Sequence, residues 1–149
     1  MKCADGLETT LSGTVYDPAA KVPLYNVIVY VPNAPLDPFP SGASCDKCGA
    51  MASGSPVVTA LSDAKGKFLL RNVPAGDGIP LVIQVGKWRR KVTIPKIEPC
   101  VNNNLTDRDL TRLPRKKSEG DLPQMGLSTG GCDALECLCR LALLASIDQ

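Results

Sequence analysis

Between Val57 and Ile94 the chain (VVTALSDAKGKFLLRNVPAGDGIPLVIQVGKWRRKVTI) alternates apolar and polar residues between corners built from Asp, Gly and Pro. Phe68 and Leu70 oppose Lys67, Leu69 and Arg71, while Trp88, Val92 and Ile94 oppose Lys87, Arg89, Lys91 and Thr93. A period of two is the signature of strands with one covered and one wet face. Asp63-Ala64-Lys65-Gly66 is a turn, because Asp bonds its own backbone and Gly takes a positive φ. Val73-Pro74-Ala75-Gly76 is a second corner of the same kind. The stretch therefore reads as strand, tight turn, strand, Pro-Gly loop, strand, two-residue turn and strand.

The upstream residues extend the pattern. Thr9 to Tyr16 reads as a first strand with Leu11, Gly13 and Val15 on one face. Leu24 to Val31 (LYNVIVYV) is apolar on both faces, as a central strand covered on two sides requires. Pro35 to Pro56 is rich in Pro, Gly and Ser and has no period. A loop that long inside a compact domain is functional or tied down. Beyond Ile94, the polar run Asn102-Asn103-Asn104 precedes an expected edge strand from Leu105 to Leu113.

The organisation expected is a β-sandwich over residues 1–114, a charged linker over 115–123 and a βα segment over 124–149. In that last segment Asp133 and Glu136 form a capping box for a helix running to Ser146, after the Gly130-Gly131 loop. A single βα unit cannot cover both its faces. It is expected either to begin a further α/β domain or to dock on the sandwich or a partner.

Composition removes whole classes of chemistry. Histidine is absent, which excludes Ser-His-Asp and Cys-His nucleophiles, His-ligated metals and His general bases. The net charge of +2 is too small to bind nucleic acid by bulk electrostatics, and one Trp is no stacking platform for bases. No apolar run has the length of a membrane span. Seven cysteines imply an oxidising compartment, and their odd number leaves one free or paired between chains. No apolar stretch of signal-peptide type follows Met1-Lys2-Cys3, so an exported chain is expected to have lost its signal.

Several motifs together resemble the carboxypeptidase regulatory-like domain of the transthyretin-like (prealbumin) group. They are Gly13-Thr14-Val15 with Asp17, Pro23-Leu24 with Val27, Val29 and Val31, Ser62-Asp63-Ala64-Lys65-Gly66-Lys67-Phe68, and Val73-Pro74-Ala75-Gly76. The resemblance spans residues 9–96. It implies a mainly β, Greek-key seven-stranded sandwich, usually extracellular and carried toward the N-terminal side of larger bacterial surface proteins. Two enzymatic relatives of the sandwich, hydroxyisourate hydrolases and intradiol dioxygenases, depend on His residues that this chain lacks. The expectation is therefore a protein that is not an enzyme and holds no cofactor or metal.

Two groups of residues are candidates for a site. The basic strand Lys87, Trp88, Arg89, Arg90 and Lys91 offers alternate cations to an anionic glycan or lipid head group. Its simpler reading is an inward Trp88 with a solvated charged face that guards a sheet edge. Arg90 falls on the apolar side by parity, and so snorkels, pairs with a carboxylate or marks a bulge. Cys3, Cys45, Cys48 and Cys100 are expected in disulfides, with three pairings open. Cys45-x-x-Cys48 also has the bite of half a zinc site, but no second such pair and no His complete it. Cys132 at a helix start, with Cys137 and Cys139, is open between an activated thiolate and simple core filling. The function expected is a structural or binding module of a secreted or cell-surface protein. The alternatives are recognition of an anionic ligand through residues 87–91, another surface protein as partner, or an active part lying downstream.

Overall fold

A computed structural model describes residues 3, 7–40 and 52–124. Cys45, Cys48, Cys132, Cys137 and Cys139 lie outside the described residues, as does the expected βα segment from residue 125 on, with its helix from Asp133 to Ser146.

Among the described residues seven strands form two sheets: β1 (Thr10–Thr14), β2 (Ile28–Pro32), β3 (Pro56–Leu61), β4 (Lys67–Arg71), β5 (Gly76–Val85), β6 (Trp88–Ile97) and β7 (Asn102–Leu105), followed by a single helical turn, α1 (Arg108–Thr111). The smaller sheet has the order β4-β1-β7 and the larger β3-β2-β5-β6. The β1-to-β2, β3-to-β4, β4-to-β5 and β6-to-β7 connections all cross between sheets, which makes this a mainly β sandwich. Leu11, Val15, Phe68 and Leu70 from one sheet meet Val29, Val31, Leu81, Ile83, Val92 and Ile94 from the other, all buried. On β1, β4 and β6 these inward positions are those expected from alternation. Each such side chain contributes roughly 1.5–3 kcal/mol through burial.

The turn after β3 shows how short motifs place strands. Asp63 Oδ1 accepts the amide hydrogens of Lys65 (2.8 Å) and Lys67 (2.9 Å). Those bonds hold the Asp63 carboxyl below the usual carboxylate range. Gly66 sits at φ +73°, and a Cβ there would lie 2.8 Å from Pro23 Cβ. Its carbonyl accepts from Val15 N, and Val15 O accepts from Leu24 N. Ser62 Oγ accepts from Val27 N (2.9 Å) and donates to Leu24 O (2.7 Å). The Ser-Asp-x-x-Gly run is thus the clasp joining β1, β2 and β4 at one end of the sandwich.

Two elements differ from expectation. The strand expected from Leu24 begins only at Ile28. Asn26 takes φ +57°, a conformation Asn tolerates, and leaves Tyr25 69% exposed. The last edge strand is not Leu105 to Leu113 but the polar run before it. β7 pairs parallel to β1, and Thr10 and Ser12 hydroxyls donate to Asn102 (2.9 Å) and Asn104 (3.2 Å) across the pair. Cross-strand hydroxyl–amide bonds supply what the low β-propensity of Asn lacks. Residues 108–111 turn helical because Asp107 caps the Asp109 amide (2.8 Å).

Cys3 is joined to Cys100 with a sequence separation of 97, which settles one of the open pairings. Cys100 N also donates to Thr9 Oγ1 at 2.9 Å, so the bond pins the N-terminal approach to β1 beside the start of β7. Closing so long a loop stabilises by roughly 2–4 kcal/mol. A Cys3→Ser/Cys100→Ser variant is expected to lose about that much in a urea titration. An unchanged midpoint would mean that the bond constrains nothing.

Candidate functional site: the buried guanidinium of Arg89

The larger sheet is buried on both faces at its centre. Its central strands carry Val29 and Val31 inward and Tyr30 outward on β2, with Leu81 and Ile83 inward and Val82 and Gln84 outward on β5, all buried. This is the two-sided cover expected for β2. On the outer face, Gln84 pairs in register with Arg89 of β6.

Arg89 was expected on a solvated face, but it is 4% exposed. Its position in the pleat is as expected; what covers that face comes from far along the chain. Nε donates to Asp121 Oδ2 (2.8 Å), Nη1 to Ser53 Oγ (3.0 Å) and Nη2 to the Asp37 carbonyl (2.9 Å). Its Cζ stands 4.2 Å from the centroid of the Phe39 ring. A buried charge is tolerated only when paired and hydrogen-bonded, and the planar fork of Arg meets three acceptors at once. Beside it the Tyr30 hydroxyl donates to Gln84 Oε1 (3.3 Å), whose amide donates to Gly86 O (3.3 Å). Burial pushes the Tyr30 hydroxyl above its ordinary value, against the opposing pull of Ser53 and Arg89. Among the described residues no buried side-chain polar atom lacks a partner.

The backbone closes the same arrangement. Arg89 N donates to Asp121 O (3.0 Å) and Asp121 N to Arg89 O (2.8 Å), an antiparallel bridge on the outer edge of β6. Gly120 makes this approach possible, since a Cβ there would lie 2.3 Å from Arg89 O. The run Arg115–Gly120, expected as a linker, folds back in a turn against the sandwich.

A second buried guanidinium anchors that turn. Arg112, 3% exposed, donates through Nη1 and Nη2 to the two oxygens of Glu119 (2.7 and 3.0 Å) and through Nε to Asp109 (2.6 Å). Arg112 holds the Glu119 carboxyl down at about 2, against the burial that would raise it. Arg90, the cation out of parity, donates to the carbonyls of Asp109 and Arg112 at the open end of the core. Burial, with the Arg112 charge beside it, lowers its pKa. Trp88 is half-buried against the core and donates Nε1–H to Pro114 O at 3.1 Å.

Of the four residues proposed to hold an anion, Lys91 is exposed, Lys87 and Trp88 are half-buried and Arg89 is enclosed. The structure does not present them as one cationic face. Two-sided apolarity in β2 beside a long aperiodic loop was the available signal that this face is covered. Among the described residues no three His, Cys, Asp or Glu side chains gather as a metal site, and no helix is long and apolar enough to cross a membrane.

No protein-family model and no curated protein sequence matches the chain. Two solved structures with weak similarity are a chain of a type II cohesin–X-dockerin complex from Acetivibrio cellulolyticus and BcpA, the major pilin subunit of Bacillus cereus. The first is 16% identical with a TM-score of 0.43, covering 82% of this chain and 65% of that one. The second is 15% identical with a TM-score of 0.37, covering 72% of this chain and 30% of the pilin. The aligned part is thus under two thirds of either longer chain.

Arg89→Lys keeps the charge but loses the fork. We expect it to cost roughly 1–3 kcal/mol in urea unfolding, the penalty for leaving buried acceptors unmet. An effect under about 0.5 kcal/mol, the range of ordinary surface substitutions, would contradict the tethering role. For Glu119 the folded pKa lies below the unfolded one. Its contribution is therefore present above the ordinary Glu range and lost as pH falls toward about 2. Glu119→Gln should destabilise at pH 7 by on the order of 1–3 kcal/mol, and its deficit against wild type should shrink by about pH 3. A deficit equal at both pH values would show that the carboxylate charge is irrelevant.

Proposed function

We propose that this chain is a non-catalytic accessory module of a secreted or cell-surface protein, a β-sandwich of the carboxypeptidase regulatory-like kind that serves as a structural spacer or protein-binding unit. One observation carries the reading. The guanidiniums of Arg89 and Arg112, the most enclosed charges in the described residues, are spent on the protein's own loop, turn and carboxylates. They are fastenings rather than groups aimed at a substrate. The Cys3–Cys100 bond supports an oxidising compartment. Any active part of a larger protein would then lie outside this module.

The reading of Lys87, Trp88, Arg89 and Lys91 as an anionic-glycan or lipid site is the weaker one, because Arg89 reaches solvent only through 4% of its surface. Retention on immobilised heparin separates the two. The spacer reading predicts elution of wild type and Lys91→Ala at the same low salt. Salt-dependent retention of wild type that Lys91→Ala abolishes would favour the ligand reading instead.

A further inference from the structure

The end of the sandwich closed by the Ser62–Gly66 clasp gathers segments that are far apart in sequence. The turn at residues 17–22 reaches it through the Tyr16–Pro23 bridge, and Gly66 lies close against Pro23. Tyr25 and Asn26 lie beside the end of β3, where Asn26 N donates to Ser62 O (3.0 Å). Arg115 Nε donates to Pro18 O (2.6 Å), which sets the run Arg115-Lys116-Lys117 next to that turn.

Charge is uneven between the two ends. At the far end, where β1 begins and β6 finishes, the exposed cations are matched: Arg71 by Glu8 (3.3 Å) and Lys96 by Glu98 (2.6 Å). At the clasp end Lys21, Lys65, Lys116 and Lys117 are exposed, and among the described residues none of them ion-pairs with a carboxylate. The acids of the same turns are committed to the fold. Asp17 Oδ1 accepts the amides of Lys21 (2.7 Å) and Val22 (3.0 Å), Asp63 holds its own turn, and Glu119 fills the Arg112 fork. Among these lysines stand two exposed apolar side chains, Val22 and Tyr25, with 56% and 69% of their surfaces in water.

We propose that the clasp end docks reversibly on an anionic phospholipid bilayer, with Lys21, Lys65, Lys116 and Lys117 at the head groups and Val22 and Tyr25 entering the interface between them. A bilayer is the partner that answers both features at once. Lysines near an anionic membrane surface each strengthen attachment, and apolar side chains set among them gain by leaving water. Tyr suits head-group depth, where its ring meets the apolar boundary and its hydroxyl stays wet. A soluble polyanion would use the charge and leave the apolar pair exposed. This surface is separate from residues 87–91. The inference stands apart from the proposed function and survives its failure.

The test is cosedimentation of the full oxidised chain with vesicles of phosphatidylcholine, alone or mixed in equal amounts with phosphatidylglycerol. The chain should pellet with the mixed vesicles only, and less as salt rises. Lys116→Ala/Lys117→Ala should weaken partition about thirtyfold, roughly fivefold per lysine. Tyr25→Ser should weaken it as well, while Lys91→Ala, in the middle of β6, should partition like wild type. Tyr25→Trp should show a blue-shifted emission on the mixed vesicles that wild type, whose single Trp is Trp88, does not. Urea midpoints close to wild type would show that these surface variants are folded. Failure to bind the mixed vesicles, binding indifferent to Lys116→Ala/Lys117→Ala, or a Tyr25→Trp emission that does not move would each overturn the proposal. So would capture by heparin without vesicle binding, which would assign the lysines to a soluble polyanion.

Discussion

A guanidinium placed against the covered face of a sheet must find acceptors, and Arg89 finds them in three distant segments. Asp37 and Phe39 lie at the start of the long loop, Ser53 near its end, and Asp121 beyond the last strand. Leaving such a charge unpaired would cost several kcal/mol. The loop and the C-terminal turn therefore cannot leave the sheet separately without exposing that cost. Arg112 repeats the device at the end of the core, where Glu119 and Asp109 fill its fork. The two arginines lie on either side of the turn at Arg115–Gly120, and each contacts it through a carboxylate in or next to that turn.

The apolar core sets the frame in which these ties operate. Leu11, Leu70, Leu81, Ile83 and Ile94 are fully enclosed between the sheets, and burial of this kind is the largest favourable contribution to folding. It does not say which loop covers which face. That choice rests on directional bonds: Asp63 and Ser62 at the clasp of β1, β2 and β4, and Asn103 beside the disulfide. The pattern is that of a protein whose polar interior is occupied with holding itself together.

Much of this was legible in the sequence, because alternation and turn chemistry are local. The faces of β1, β4 and β6, the Asp63–Gly66 turn and the two-sided cover of β2 follow from neighbours within a few residues. The errors have an equally physical cause. The polar run Asn102 to Asn104 is itself the strand, because its partners Thr10 and Ser12, 92 residues away, supply bonds that no local pattern records. Tyr25 lay within the strand expected from Leu24, but Asn26 turns the backbone before pairing begins. Arg89 was placed correctly in the pleat and wrongly in water. Its cover comes from segments 32 to 52 residues distant, which no periodicity records.

Hydrogen exchange at the amides of Arg89 and Asp121, which bridge each other across the edge of β6, tests the role of the buried guanidinium most directly. If Arg89 ties loop, turn and sheet into one cooperative unit, both amides exchange only through global opening, with the protection of Leu81 and Ile83 in β5. Rapid exchange at Asp121 while the β5 amides stay protected would show the turn leaving the sheet independently, and would contradict the account.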